Sequence, residues 1–212
     1  MDTLDYIAQK YNLKLDTKRM PIEIPNVGRN DLAKLFAELG FKIGVEVGVE
    51  CGVFTEVLCR ANPQAKIYGV DAWKAYAGYR DHVSQIKLEG FFGIATQRTA
   101  SFNCELIRKF SLDAVKEFPR DLLDFVYIDG NHELPFVMND IIEWSRRVRP
   151  GGVISGHDYY KSTRFDKKNH TVFAVNCYTE AYQVRPWFLL GTKAEREGEV
   201  RDGDRSWMWV RQ

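Results

Sequence analysis

Residues Gly44-Val45-Glu46-Val47-Gly48-Val49-Glu50-Cys51-Gly52, followed by Val53-Phe54-Thr55, constrain this chain more than any other stretch. The first half interleaves β-branched and small residues, as a strand buried on both faces of a parallel sheet does. The second half breaks at glycine and then takes up helical spacing. A strand, a glycine loop and a helix N-terminus are predicted. Glycine lacks a Cβ and tolerates positive φ, so such a loop lets backbone approach a ligand closely, and the helix end presents unpaired N–H groups. A nucleoside-like ligand suits it. The spacing is Gly-x-x-x-Gly-x-x-x-Gly, however, and the dinucleotide fingerprint Gly-x-Gly-x-x-Gly is absent. Packing within a buried strand accounts for the same glycines, so the rest of the chain has to decide.

Residues 66–71 read as a second strand that ends on the carboxylate of Asp71, after a helix over 53–60 that Asn62-Pro63 breaks. Strand, helix and strand in so short a span make a βαβ unit with a right-handed crossover. Ligands bind such sheets at the carboxyl ends of the strands, which places Gly48 and Asp71 at one edge. Further strands are predicted over 105–108, 122–128, 153–156, 187–190 and 206–210. The strand 122–128 runs into Asp129-Gly130-Asn131-His132, and 153–156 runs into His157-Asp158-Tyr159. Polar groups released at the end of a buried strand are candidates for chemistry.

Between these strands, Ser111 is expected to cap a helix bearing Leu112, Val115 and Phe118. A helix beginning near Pro135 carries Val137, Ile141, Trp144 and Val148 and stops at Pro150-Gly151-Gly152, and another spans 171–182. The fold class is therefore α/β: a doubly wound, Rossmann-like sheet of seven strands, mostly parallel, with a C-terminal antiparallel hairpin. Residues 1–40 read as an N-terminal helical arm or cap, irregular over 12–29. Its second helix is capped by Asn30 or Asp31 and halted by Gly40. Residues 41–212 form the main domain.

Composition narrows the partners. The chain has 212 residues, 45% hydrophobic and 28% charged, which suits one globular core. A formal net charge of +1 with mixed signs gives no electrostatic footprint for nucleic acid or anionic membrane. Cys51, Cys59, Cys104 and Cys177 show no Cys-x-x-Cys spacing, and no apolar run opens the chain, so a reducing cytoplasm is the expected home. The expected partner is a small molecule; self-association is left open.

Taken together, Val45-Glu-Val-Gly-Val-Glu-Cys-Gly-Val-Phe-Thr55, Tyr68-Gly-Val-Asp-Ala-Trp73, Asp124-Phe-Val-Tyr-Ile-Asp-Gly-Asn-His132 and Pro150-Gly-Gly-Val-Ile-Ser-Gly-His-Asp-Tyr159 resemble the class I S-adenosylmethionine-dependent methyltransferases. The resemblance is to the small bacterial and phage-type branch with Ile-Asp-Gly-x-His and Gly-His-Asp-Tyr segments. It implies that Glu46, Gly48 and Gly52 shape the pocket for the methionine part of S-adenosylmethionine. Asp71 would hold the ribose hydroxyls, Phe110, Ser111 and Leu112 would contact adenine, and Asp129 would line the floor near the transferring methyl. The cofactor carries no phosphate, in keeping with the missing fingerprint.

Methyl transfer from a sulfonium requires alignment and a deprotonated acceptor. Two schemes are open. In one, His132 or His157 takes a proton from a hydroxyl, with Asp158 beside them. In the other, Asp129 and Asp158, with or without His157, hold a divalent cation such as Mg²⁺ that acidifies the hydroxyl. His157 and Asp158 are adjacent, so both reach one cleft only if the strand has already turned. The expected reaction is O-methylation of a small molecule or sugar; the alternatives are a nicotinamide-dependent oxidoreductase and a non-catalytic binding module on the same fold.

Overall fold

The computed structural model describes residues 1–16, 18–76, 84–161, 169–191, 197–199 and 204–212. The elements in order are α1 (Thr3–Lys10), β1 (Ile22–Ile24), α2 (Arg29–Glu38), β2 (Ile43–Val47), α3 (Val53–Ala61), β3 (Lys66–Asp71), α4 (Gln85–Thr99) and β4 (Cys104–Arg108). There follow α5 (Ser111–Ala114), β5 (Leu123–Ile128), α6 (Leu134–Ser145), β6 (Val148–Gly156), α7 (Thr171–Ala181), β7 (Phe188–Leu190) and β8 (Trp207–Val210). The eight strands form one sheet in the order β1-β7-β8-β6-β5-β2-β3-β4. β8 runs antiparallel to both β6 and β7, and the other pairings are parallel.

Seven of these strands are the expected ones; the eighth comes from the arm. Ile22–Ile24 pairs in parallel with Phe188–Leu190, and Ile22 N–H donates to Trp187 O at 2.9 Å. Three residues between Pro21 and Pro25 are too short a run for alternation to be read, which is why the span 12–29 looked irregular. The arm's second helix is capped by Gly28 rather than by Asn30 or Asp31, and Asp31 instead accepts the Gly28 N–H at 3.0 Å from inside the first turn.

A further correction concerns Pro150-Gly151-Gly152. These residues do not merely end α6; they lie within β6, where the register against β5 shifts between Leu123 and Phe125. Gly152 is needed there, since a Cβ would stand 2.5 Å from Asp124 O. Asp124 ties the same corner together. Its Oδ2 accepts Lys42 N–H at 2.6 Å and Ile43 N–H at 2.9 Å, and its Oδ1 accepts Arg149 Nε–H at 2.7 Å.

The sheet separates two apolar layers. Along β5, Val126 and Ile128 pack with Trp144, Val175 and Trp207 on one side, while Phe125 and Tyr127 pack with Phe36, Phe54 and Leu58 on the other. Alternation of side chains along a strand produces this division. Residues of α1 and α2, among them Ile7, Leu32 and Phe36, belong to the second layer. Gly44 in β2 makes room for it, because a Cβ there would lie 2.0 Å from the Phe125 ring, which stacks on Phe36 at 4.0 Å. No helix among the described residues is long and apolar enough to cross a membrane.

Candidate active site

Strand order reverses at β2: the chain proceeds outward through β3 and β4, then returns to β5 on the other flank. A crevice opens at the carboxyl ends of strands at such a point. Here it is a cavity of about 660 Å³, in the range of small-molecule sites. Its wall includes Glu46, Gly48, Asp71, Phe110, Ser111, Leu112, Asp129 and His132.

The glycine loop is held by its surroundings. Gly48 has φ +91°, and a Cβ on it would stand 2.1 Å from Asp129 O, so the β5 terminus demands glycine there. Gly52, at φ +76°, is the N-cap of α3 and lies against Ala95 of α4, outside the cavity wall. Asp71 Oδ2 accepts Val49 N–H at 3.1 Å and Glu50 N–H at 3.0 Å, and Oδ1 accepts Trp73 N–H at 2.9 Å. Three of the roughly four acceptor positions of this carboxylate thus hold backbone. Asp71 staples the loop and keeps about one position for a ligand.

Glu46 is 2% exposed and accepts the Thr55 hydroxyl. Burial holds its carboxyl well above the usual range, against the opposing Thr55 bond. Arg29, the first residue of α2, stands over the Phe54 ring at 5.4 Å and brings Nη1 to 3.7 Å from Asp129 Oδ2.

Phe110, Leu112 and Phe136 are exposed apolar side chains in the same wall, and Tyr76 packs edgewise on Phe110 at 5.6 Å. Tyr76 Oη accepts Asn131 Nδ2–H at 2.7 Å. Ser111 does not cap α5; Phe110 does, with no side-chain bond. The Ser111 hydroxyl instead accepts Trp144 Nε1–H at 2.8 Å and donates to Asp140 Oδ1.

On the floor, Asp129, His132, His157 and Asp158 converge. β6 ends at Gly156, and Asp158 has φ +59°, so the chain has turned and both His157 and Asp158 face the cluster. His132 Nε2 lies 2.6 Å from Asp158 Oδ2 and 3.7 Å from Asp129 Oδ1. His157 Nδ1 lies 3.6 Å from Asp158 Oδ2 and 3.8 Å from Asp129 Oδ1. His157 is anchored by its backbone, whose N–H donates to Ile128 O at 3.0 Å and whose carbonyl accepts Trp207 Nε1–H at 3.1 Å. Burial pushes the His132 imidazole down, but the two carboxylates outweigh it and carry it up to about 10. Burial pushes Asp158 up, but the two imidazoles hold it well below the usual carboxylate range. Paired in this way, His132 favours its imidazolium form, unlike a histidine at its ordinary value near 6.5.

Sequence reasoning passed over Arg29 and Asp140. Only Asp140 left a signal: it falls three residues after Val137 and four before Trp144, an acid on the buried face of α6. Arg164, Lys167 and Lys168, basic residues that follow the Gly-His-Asp-Tyr segment in the sequence, lie outside the described residues.

Comparison with solved structures places this geometry. An O-methyltransferase from Bacillus cereus, in complex with SAH, superposes with a TM-score of 0.60 at 18% identity, over 99% of this chain and 90% of that one. The O-methyltransferase TomG from Streptomyces achromogenes, in complex with SAM, gives 0.59 at 18% identity over 100% and 91%. The N-methyltransferase NodS from Bradyrhizobium japonicum gives 0.54 at 17% identity over 86% and 94%. At such identities the likeness is one of fold. No curated protein matches by sequence. Residues 45–159, more than half of the chain and the span from the glycine stretch to the turn after β6, match the family described as "Methyltransferase domain", and the chain belongs to that family.

Proposed function

We infer that the protein transfers a methyl group from S-adenosylmethionine to a hydroxyl oxygen of a small molecule. One observation carries this reading: one cavity brings together the apolar side chains Phe110, Leu112 and Phe136, the glycine loop, and Asp129 and His132 of the acid–imidazole cluster. The methionine part lies along Gly48 and Glu46, with Arg29 facing its carboxylate. The ribose meets the loop stapled by Asp71, and the adenine lies against Phe110, Ser111 and Leu112. The sulfonium then points toward Asp129 and His132. Relatives of the fold include SAH- and SAM-bound O-methyltransferases, and also an N-methyltransferase, so fold alone does not choose the acceptor atom. Oxygen is favoured because a hydroxyl must be acidified before attack, whereas a neutral amine already carries its lone pair.

The cluster fits a divalent cation. The ligand atoms of Asp129, His132 and Asp158 lie within 4.8 Å of one another, and buried His132 Nε2 makes no well-directed hydrogen bond despite its closeness to Asp158. Those three residues would hold the cation, His132 giving up its proton to offer Nε2, and the cation, when bound, would lower the pKa of an acceptor hydroxyl. His157 orients both carboxylates, Arg29 offsets the charge of Asp129, and Gly48 keeps the backbone close to Asp129. Alignment of acceptor and sulfonium by these walls supplies the remaining rate enhancement.

Calorimetry with S-adenosylhomocysteine and NAD tests the reading. Micromolar binding of the former with none of the latter is expected; the reverse would establish a nicotinamide enzyme. Cofactor binding without methyl transfer to any hydroxyl compound of a broad panel would point to a binding module.

A further inference from the structure

Asp140 is a buried carboxyl that the mechanism above does not use. It is 4% exposed, yet it forms part of the cavity wall. Its two oxygens differ. Trp144 Nε1–H donates to Ser111 Oγ, which commits the Ser111 hydrogen to Asp140 Oδ1. Oδ2 has no donor among the described residues, and it lies on the side of the Gly130 backbone, 3.6 Å from where a Gly130 Cβ would be. Phe110, Phe136 and Tyr76 line the same cavity, with Tyr76 edgewise to Phe110 at 5.6 Å and tilted against Phe136 at 6.1 Å. An aromatic-lined cavity with one unsatisfied carboxyl oxygen in its wall suits a nucleobase, for which the rings supply apolar contact and the polar group reads an edge.

We propose that Asp140 is the base-reading residue of the cofactor site, its Oδ2 meeting the N1 and 6-amino edge of adenine. This rests on the S-adenosyl cofactor reading and adds to it the residue that selects the base. The Trp144–Ser111–Asp140 relay sets the polarity. Burial pushes the carboxyl up to about 7 against the Ser111 bond, so the group is half neutral at neutral pH. With Ser111 donating to Oδ1, the acid proton sits on Oδ2, where it donates to adenine N1, and the 6-amino group donates to the remaining lone pair of Oδ1. Hypoxanthine presents the opposite edge, a donor at N1 and an acceptor at position 6. It sets donor against donor and acceptor against acceptor.

The test is calorimetric titration of the full chain at pH 6, below the Asp140 value of about 7, with S-adenosylhomocysteine and with S-inosylhomocysteine. The wild type should prefer the adenine compound on the order of 10- to 100-fold, the factor that one mispaired buried polar group imposes. Asp140→Leu should lose that preference to within about threefold by weakening the adenine compound. Asp140→Asn keeps a donor on the Oδ2 side and an acceptor for Ser111, and should keep both affinity and preference within about threefold. Equal binding of both compounds by the wild type, or an unchanged preference in Asp140→Leu, overturns the proposal and leaves the cofactor reading standing. Should Asp140→Leu fail to fold, the wild-type preference and Asp140→Asn decide alone. Absence of S-adenosylhomocysteine binding to the wild type overturns the cofactor reading, and the base-reading role falls with it.

Discussion

Replacing Asp140 by Asn should stabilise the protein by an amount that grows with pH. In the folded chain burial carries the Asp140 carboxyl to about 7, while an unfolded chain leaves it near 3.9. The folded value is the higher one, so the folded state binds the proton more tightly. The stability linked to the neutral acid is complete below about pH 4 and is lost as pH rises toward about 7. Each unit within that window is worth about 1.4 kcal/mol, so the full window amounts to about 4 kcal/mol. Tyr76 is the titratable side chain that senses Asp140, and it stays neutral throughout this range, since burial raises it above its ordinary value. Asn is isosteric, accepts the Ser111 hydroxyl and does not titrate. The difference in unfolding free energy between Asp140→Asn and wild type should therefore widen by about 3 kcal/mol between pH 5 and pH 8. For a chain of this length that corresponds to roughly 5–10 °C in Tm. Urea melts of both proteins at pH 5, 6, 7 and 8 measure it, and groups common to the two cancel. A gap that stays constant across the series would refute the assignment of a raised Asp140.

Gly44→Ala should destabilise by about 1–3 kcal/mol, because its Cβ meets the Phe125 ring in a stacked pair that has nowhere to move; an unchanged urea midpoint would count against that packing. Asp71→Ala removes three backbone anchors and should weaken S-adenosylhomocysteine binding at least about tenfold, read by calorimetry, with unaltered affinity sinking the staple. Mn²⁺ at 100 times its Kd should raise the unfolding free energy by about 2.7 kcal/mol, and Asp129→Asn or Asp158→Asn should abolish that rise. Methyl transfer undiminished by EDTA would remove the cation from the scheme.

The fold was legible wherever a strand had enough residues to show its pattern. Lys66–Asp71 and Leu123–Ile128 announce themselves by the apolar runs 67–70 and 125–128, each ended by a carboxylate, and the order of strand ends follows from them. Ile22–Ile24 was not legible, because three residues carry no period and their partner Phe188–Leu190 lies more than 160 residues away. Pro150-Gly-Gly misled for a related reason: these residues are strong punctuation, yet an irregularity inside a strand can also call for glycine, and only the approach of Asp124 O tells the two apart. The floor of the site could be read because Asp129, His132, His157 and Asp158 sit at two strand ends. Arg29 could not, since nothing local in Gly28-Arg29-Asn30 says that the helix end faces Asp129 across the sheet.

Packing and ligand approach, two readings of the glycine stretch that looked exclusive, turn out to be one constraint. Gly44 is required by Phe125, Gly48 by the Asp129 carbonyl and Gly52 by Ala95, so each glycine answers to a neighbour in the protein. Yet Gly48 meets Asp129 because β2 and β5 are adjacent where the strand order reverses, and that adjacency also opens the crevice. The backbone contact fixes how far Asp129 stands from the loop, and Asp71, stapling Val49 and Glu50, fixes the loop against β3. The position of the acid–imidazole cluster relative to the cofactor loop is therefore set by main-chain approach and by one carboxylate tied to backbone amides. A reaction that depends on collinear donor and acceptor atoms needs that rigidity, since a misplacement of about 1 Å costs on the order of 100-fold in rate.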